Sequence, residues 1–124
     1  MARVFGAVAA FLANRYGGLC HTPESVVTVG VAAVRIVQAN SERVGLVLCN
    51  NGAADIRIAN TPEVTVTTGL RIPAGGGAVS MWVDEDGPRS AMEWWGIGAG
   101  AGNVVYVNEV VRETALGGSE GGGS

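Results

Sequence analysis

The stretch SERVGLVLCNNGAADIRIAN, residues 41–60, sets an apolar run before Asn-Asn-Gly and then a segment in which apolar and polar residues alternate. Alternation with period two is typical of a strand with one buried face, and a short apolar run fits a strand that is fully buried. Asn and Gly accept the positive φ that tight hairpin turns require. The stretch therefore predicts a buried strand, a tight turn and a partner strand with Ile56 and Ile58 inward and Asp55 and Arg57 outward.

Segments of the same kind continue on both sides of this stretch. The sequence SVVTVGVAAVRIVQ (25–38) is rich in β-branched residues and is interrupted by Gly30, and EVTVTTGLRI (63–72) alternates. TGLRIPAGGGAVSMWV (68–83) reads as a hairpin around a Pro-Ala-Gly-Gly-Gly turn, and MEWWGIGAGAGNVVYVNEVV (92–111) places a Gly/Ala turn between two strand-like segments. DEDGPRS (84–90) reads as a polar loop. We predict an all-β domain over residues 25–113, a single β-sandwich or barrel (jelly-roll-like) of short antiparallel strands, with no helix longer than two turns.

The two ends of the chain have different compositions from the body. MARVFGAVAAFLANRYGG (1–18) contains ten apolar or small residues in a row, which is too short to span a bilayer. Its apolar residues fall at helical spacing, so we predict an N-terminal arm or short helix over residues 1–24. The arm could lie on a neighbouring subunit or on its own domain, and a cleaved signal peptide is a third reading. Residues 114–124 have the composition of a flexible linker.

The charge content of the chain indicates an assembly subunit. Charged residues make up 15% of the sequence, against about 25% in typical proteins, and the mean hydropathy is +0.30. Such a surface is expected to contact protein, so we predict a homo-oligomer. All eight basic residues are arginine, which suits desolvated contacts but also follows from a GC-rich genome. The net charge of −3 and the absence of a basic cluster argue against nucleic acid.

The sequence contains few groups that could perform chemistry. His21 is the one histidine and no GxSxG motif accompanies it, so we predict no catalytic residues. Cys20 and Cys49 are expected to be free thiols, because two distant cysteines do not form a disulfide framework or a metal site. The acidic run 84–86 lacks the ligand spacing of a calcium loop. We predict no cofactor, no metal, no small-molecule substrate and no membrane contact.

The three tryptophans are candidates for contacts with a partner. Trp82, Trp94 and Trp95 could stack on sugars, but large aromatic residues in a small β domain more often lie in the core or in a subunit interface. Trp94 and Trp95 are adjacent in a strand and must point to opposite faces. We therefore expect one in the core and the other outside. The candidate interface residues are Val4, Phe5, Val8, Phe11, Leu12, Tyr16, Trp82, Trp94 and Trp95.

Residues 42–113 resemble small β-structured virion proteins of tailed bacteriophages. The resemblance rests on ERVGLVLCNNGAADIRIAN (42–60), on TGLRIPAGGGAVSMWV, and on the closing WWGIGAGAGNVVYVNEV (94–110). Such proteins carry a strand that ends in Asn-Asn-Gly, a Gly-Ile/Leu-x-Ile/Leu-Pro-x-Gly turn and a last strand of Val-x-Val-x-Glu type. Within that group the chain is most similar to capsid decoration, or cement, proteins.

The resemblance implies a function that needs no catalysis. A decoration protein is made in the host cytoplasm, sits on the capsid surface, and stabilises the shell by bridging subunits of the major capsid protein, often as a homotrimer. We expect this role for the chain. The alternatives are another virion component, such as a head-fibre base, a spike or a head-to-tail protein, and a secreted carbohydrate-binding module that would use the tryptophans.

Overall fold

The computed structural model describes residues 20–113. The predicted arm residues from Val4 to Tyr16 and the predicted tail at 114–124 lie outside this range. The described chain forms nine strands, a four-residue helix α1 (Val83–Asp86) and a 3₁₀ helix (Gly87–Ala91). The strands are β1 (Cys20–His21), β2 (Glu24–Val29), β3 (Val34–Val37), β4 (Arg43–Asn50), β5 (Ile56–Ala59), β6 (Leu70–Ile72), β7 (Gly77–Trp82), β8 (Trp94–Gly98) and β9 (Asn103–Arg112).

The strands form two sheets that face each other across one core. Sheet 1 has the order β1-β9-β4-β7, with β2 also paired to β9, and sheet 2 has the order β3-β8-β5-β6. All the pairings are antiparallel. Strands β2 to β9 thus have the order of an eight-stranded jelly roll, in which every connection crosses between the two sheets except the one from β5 to β6, which are neighbours in sheet 2. The prediction of an all-β sandwich without long helices is confirmed, and no described helix is long and apolar enough to cross a membrane.

The first sheet begins earlier than the boundary predicted at residue 25. Cys20 pairs with Arg112 and His21 with Val111, and the Pro23 carbonyl accepts a hydrogen bond from the Glu109 amide. The end of the segment 1–24 is therefore part of the sheet. Proline interrupts the pattern that indicates a strand, which is why the sequence placed the start of the domain after it.

The core lies between the inner faces of the two sheets. Side chains alternate along each strand, so every second residue of a strand points inward. Ile56 and Ile58 point inward as predicted, and the core is formed by Val29, Ile36, Val37, Leu46, Leu48, Ile56, Ile58, Ile72, Met81, Trp94, Val105 and Val107. Burial of each large side chain contributes about 1.5–3 kcal/mol relative to exposure.

The predicted hairpin between β4 and β5 is wrong. β4 pairs with β7 and β9 in sheet 1, whereas β5 pairs with β6 and β8 in sheet 2. The tight turn would need positive φ at Asn51 and Gly52, and neither residue is among the described ones with positive φ. The chain instead crosses between the sheets, because the fully buried Asn50 side chain donates to the carbonyls of Ala54 and Ile72 and accepts from the Gly52 amide.

The other turns at this end of the sandwich also cross between sheets. The Pro-Ala-Gly-Gly-Gly turn joins β6 of sheet 2 to β7 of sheet 1, so that predicted hairpin is wrong as well. Asn103 is fully buried, donates to the carbonyls of Val29 and Gly100, and accepts from the Ala54 amide. The four connections at 30–33, 51–55, 73–76 and 99–102 consist mainly of Gly and Ala, and backbone hydrogen bonds such as Gly75 N–H to Gly52 C=O join them into one loop end.

The alternating segment EVTVTTGLRI is a strand only over its last residues, Leu70–Ile72. Thr65 and Thr68 bond to each other instead: the Thr65 amide donates to the Thr68 hydroxyl, and the Thr68 amide donates to the Thr65 carbonyl. Threonine hydroxyls compete with strand pairing in this way. Val64 is buried beneath the loop and fixes it to the sandwich.

A buried arginine holds the opposite end of the sandwich. The Arg43 side chain is 2% exposed and pairs with Glu109, with 2.8 Å between Nε and Oε1. Its Nη1 donates to the carbonyls of Ser90 and Met92, and its Nη2 donates to the carbonyl of Gln38 at 2.6 Å. The planar guanidinium holds its N–H donors in fixed directions. It can therefore bond at the same time to Glu109 of sheet 1, to the carbonyl of Gln38 after β3 of sheet 2, and to the carbonyls of Ser90 and Met92 at the end of the 3₁₀ helix.

Candidate interaction surface

The outer face of sheet 1 has little charge from residue 104 to residue 110 of β9 and on the strands beside it; Arg112, at the next outward position of β9, is paired with Glu42 at the end of the face. Paired residues of neighbouring strands share a face, so the register gives its rows directly. Val26, Tyr106, Cys49 and Ala78 form one row across four strands. We name this surface the uncharged face; its residues are Val26, Thr28, Val47, Cys49, Ala78, Ser80, Trp82, Val104, Tyr106, Asn108 and Val110, with Glu24 at one corner.

Two valines of the uncharged face are exposed to an extent unusual for that residue. Val26 on β2 is 63% exposed and Val104 on β9 is 42% exposed. Their strands are neighbours, and Val104 pairs with Thr28, two residues from Val26 along β2. Single exposed apolar residues are normal, whereas neighbouring ones on the face of a sheet make that face a candidate contact surface.

Trp82 lies on the other side of the uncharged face, over Gly45. A Cβ atom added to Gly45 would lie 2.7–3.0 Å from atoms of the Trp82 ring, so only glycine allows this position. The ring is half-buried and extends the apolar surface towards the edge of sheet 1. The structure thus places Trp82, a predicted interface candidate, on the same face as Val26 and Val104.

The outer face of sheet 2 has a different chemistry, with three arginines around Trp95 and Ile97. Arg35 pairs with Trp95, and Arg57 lies between Ile97 and Arg71. We name these five residues the arginine face. Arg71 binds Asp55 at 2.8 Å, whereas the Arg57 side chain donates to the carbonyl of Gly69. Two directly opposed arginines repel each other, which favours a partner with acidic groups here.

Trp94 and Trp95 point to opposite faces, as the sequence predicted. Trp94 is 6% exposed, belongs to the core, and donates from Nε1 to the Arg89 carbonyl at 3.0 Å. Trp95 is half-buried on the arginine face, and its Nε1 is buried with no hydrogen-bond partner among residues 20–113. Sequence reasoning grouped the three tryptophans, whereas the structure distributes them over the uncharged face, the core and the arginine face.

A cleft of about 370 Å³ opens between the edge strands β6 and β7. Its apolar lining comes from both sheets, including Ile58, Leu70 and Met81, and Asp86 and Arg89 stand at its polar side. The Arg89 guanidinium has no hydrogen bond or ion pair to another residue of 20–113. A ligand for this cleft would therefore combine an apolar body with an anionic group.

Groups that could perform catalysis are dispersed. His21 lies at the edge of sheet 1, where its Nδ1 is 2.9 Å from a Glu113 carboxylate oxygen. Within residues 20–113 no group of three or more His, Cys, Asp or Glu residues could hold a metal ion. In the acidic run, the Asp86 carboxylate accepts the backbone N–H of Trp82 at 2.9 Å and so has a structural role. The absence of an enzymatic activity stays a prediction.

Neither Cys20 nor Cys49 is in a disulfide, and the two residues lie far apart on sheet 1. Cys20 pairs with Arg112 and Cys49 with Tyr106, positions six residues apart on β9. That separation is about 20 Å along the strand, far beyond the reach of a disulfide. Burial raises the pKa of the Cys20 thiol; Arg112 opposes this effect and Glu113 adds to it.

One carboxylate has a pKa shifted by its local contacts. The Ala74 amide donates to Asp55 Oδ1 at 2.9 Å and the Arg71 side chain donates to Oδ2 at 2.8 Å. Chiefly the Ala74 hydrogen bond, and then the Arg71 hydrogen bond, lower the pKa of Asp55 below its ordinary value. Asp55 thereby joins the turn after β6 to the connection after β4.

Sequence reasoning missed Arg43, Asn50 and Asn103, whose buried side chains hold the two ends of the sandwich. The sequence did contain a signal for the two asparagines: Asn50 is the last residue of the apolar strand β4, and Asn103 is the first residue of the apolar strand β9. The sequence interpretation assigned Asn50 to a turn. For Arg43 no local signal exists, because its partners lie as far away as Glu109.

The comparisons with known proteins identify no family for this chain. No protein-family model and no curated protein matches it. A chain of the disulfide-linked pili that form the endospore appendages of Bacillus has a similar structure, with a TM-score of 0.44 and 9% sequence identity, over 76% of this chain and 87% of that chain. The class of protein is defined by the two antiparallel sheets, which make it an all-β sandwich.

Proposed function

We propose that this chain is a non-enzymatic structural protein of a tailed-phage virion, located on the capsid surface. In this role it stabilises the shell by bridging subunits of the major capsid protein, and it associates with further copies of itself. The observation that carries the proposal is the uncharged face, where four antiparallel strands present an apolar surface with Glu24 as its charged residue. The kind of assembly is taken from the resemblance of residues 42–113 to virion proteins.

The distribution of charge supports a fixed orientation on a larger body. The Gly- and Ala-rich loop end carries one acidic residue, Asp55, which is paired. The connections at the opposite end carry Glu42, Glu63, Asp84, Glu85, Asp86 and Glu93. The acidic end is suited to water, while the uncharged face and the loop end lose little hydration energy on contact with protein. A rigid domain of this kind adds contact area that is lost only when the shell opens.

The experiment is a binding assay with expanded capsid shells that lack this chain. The purified protein is mixed with shells, the shells are sedimented, and bound protein is quantified alongside the temperature at which the shells open. We expect saturable binding and a raised opening temperature. Absence of binding, or binding without any stabilisation, would refute the proposed role.

Matched variants locate the contact. Val104 is 42% exposed on the uncharged face, and Val66 is 49% exposed in a loop away from it. Val104→Asp removes a buried apolar contact worth about 1.5–3 kcal/mol, which corresponds to an affinity loss of about tenfold or more. Val66→Asp makes the same chemical change and should bind normally. Equal effects of the two variants would exclude the uncharged face as the contact.

A further inference from the structure

The outer edge of β2 is an unprotected sheet edge. β2 is six residues long and pairs with β9 on one side only; no other residue of 20–113 pairs with its free side. It contains no proline, no lysine and no register shift within its pairing to β9. Natural proteins normally block such edges, because the unpaired N–H and C=O groups bind another strand.

The other sheet edges of the described residues offer fewer backbone groups for pairing. On β7 the backbone N–H of Trp82 is already bonded by the Asp86 carboxylate, which occupies that part of the edge. β3 has four residues and a register shift between Arg35 and Val37, and β6 has three residues. A short or irregular edge offers few groups in line, so β2 is the edge suited to strand addition.

We propose that β2 pairs with β2 of a second copy of this chain, antiparallel and about a two-fold axis at Val26. An isologous contact requires a self-complementary surface, and β2 meets that requirement. With Val26 opposite its own counterpart, Glu24 faces Thr28 and Ser25 faces Val27 of the second copy. Side chains of each face stay on that face, as continuous pairing demands.

The charges of β2 permit this register. The two copies of Glu24 are four positions apart along the paired strands, about 13 Å, which exceeds the screening length of about 8 Å at physiological salt. Val26, the most exposed large apolar residue of the uncharged face, meets another valine, and sheet 1 continues through both copies. The uncharged faces of the two copies then form one surface twice as wide. A threefold assembly, as the sequence led us to expect, would need an additional contact.

The test is the oligomeric state of the free chain, measured by sedimentation from micromolar to millimolar concentration, independently of any capsid. We expect a monomer–dimer equilibrium. In Val26→Lys and in Val26→Glu, like charges meet at the axis, and each should weaken dimerisation at least tenfold. An equimolar mixture of the two variants should restore the dimer, because the lysine of one variant then faces the glutamate of the other.

Val66→Lys and Val66→Glu are the matched controls, since Val66 is also exposed but lies in a loop away from β2. They should dimerise like the original protein. Hydrogen exchange of the original protein gives a second measurement: the amides of β2 should gain protection as concentration rises, while those of β7 should not. A monomer at every concentration, a dimer insensitive to both Val26 variants, or concentration-independent exchange in β2 would overturn the proposal. Failure of capsid binding alone would leave the dimer standing and refute only the proposed function.

Discussion

Replacement of Arg43 by methionine is expected to destabilise the fold severely. The substitution keeps an apolar side chain of similar length but removes four hydrogen bonds, of 2.6–3.3 Å, to Glu109 and to three backbone carbonyls. Glu109, which is 20% exposed at its side chain, would keep its charge without a partner. Removing one member of a buried ion pair costs about 3–5 kcal/mol, a large part of the about 5–15 kcal/mol that stabilises a typical domain.

The assay is equilibrium unfolding in urea, followed by tryptophan fluorescence, with Arg35→Met as the matched control. Arg35 makes a long contact of 3.9 Å to Glu93, and both side chains are well exposed, so this variant should lose no more than about 1 kcal/mol. Adding Glu109→Gln to Arg43→Met should recover part of the loss, because the unpaired charge is then gone. Equal destabilisation by Arg43→Met and Arg35→Met would refute the reasoning.

Three further predictions concern the loop end, the response to acid and the N-terminal segment. Asn103→Ala removes three hydrogen bonds of a fully buried side chain and should lower the free energy of unfolding by about 2–4 kcal/mol. Asn108→Ala, on the uncharged face, removes one long hydrogen bond of 3.3 Å and should cost less than about 1 kcal/mol. Equal losses of the two variants in urea unfolding would contradict this prediction. The pKa of Asp55 is lowered, chiefly by the Ala74 amide, so the contribution of Asp55 to stability is present above the unfolded-state pKa near 3.8 and is lost as pH falls through the lower folded-state pKa. Asp55→Asn should therefore lower the free energy of unfolding at neutral pH. A difference in stability from the original protein that persists below both pKa values would contradict the assignment. Deletion of residues 2–16 should leave urea unfolding of the β domain unchanged and abolish binding to capsid shells. Unchanged binding to the shells would exclude an anchoring role for the segment. Unfolding of the β domain on deletion would show instead that the segment packs on its own domain.

The sequence predicted the strands better than their connections. Period two correctly placed Ile56 and Ile58 inward, because a strand's alternation follows from its own geometry. The turn signals at Asn51-Gly52 and at 73–77 were correctly located but wrongly interpreted as hairpins. A turn between strands of one sheet and a crossing between two sheets use the same small residues, and the choice is made by distant contacts such as those of Asn50.

The candidate surface was only partly predictable for a similar reason. Adjacent tryptophans had to point to opposite faces, and the structure confirms it for Trp94 and Trp95. Val26 and Val104 were not among the predicted interface residues, because in sequence they resemble any other β-branched strand residue. Their exposure follows from the position of β2 at the edge of sheet 1 and of Val104 beside it, which only the pairing register reveals.

If the proposed function is correct, the two outer faces of the sandwich would give the chain two different means of attachment. The uncharged face gains from burial of apolar area, which is insensitive to salt, whereas contacts of the arginine face with acidic groups weaken as salt rises. Binding that survives high salt would therefore be attributed to the face around Val26 and Val104. Binding lost in salt would instead be attributed to Arg57 and Arg71. Arg57→Gln should then reduce it, since the Arg57 side chain donates to the Gly69 carbonyl and, within residues 20–113, forms no salt bridge with a carboxylate. A bridging protein needs contacts with two bodies, and a sandwich supplies them on opposite sides of one rigid core.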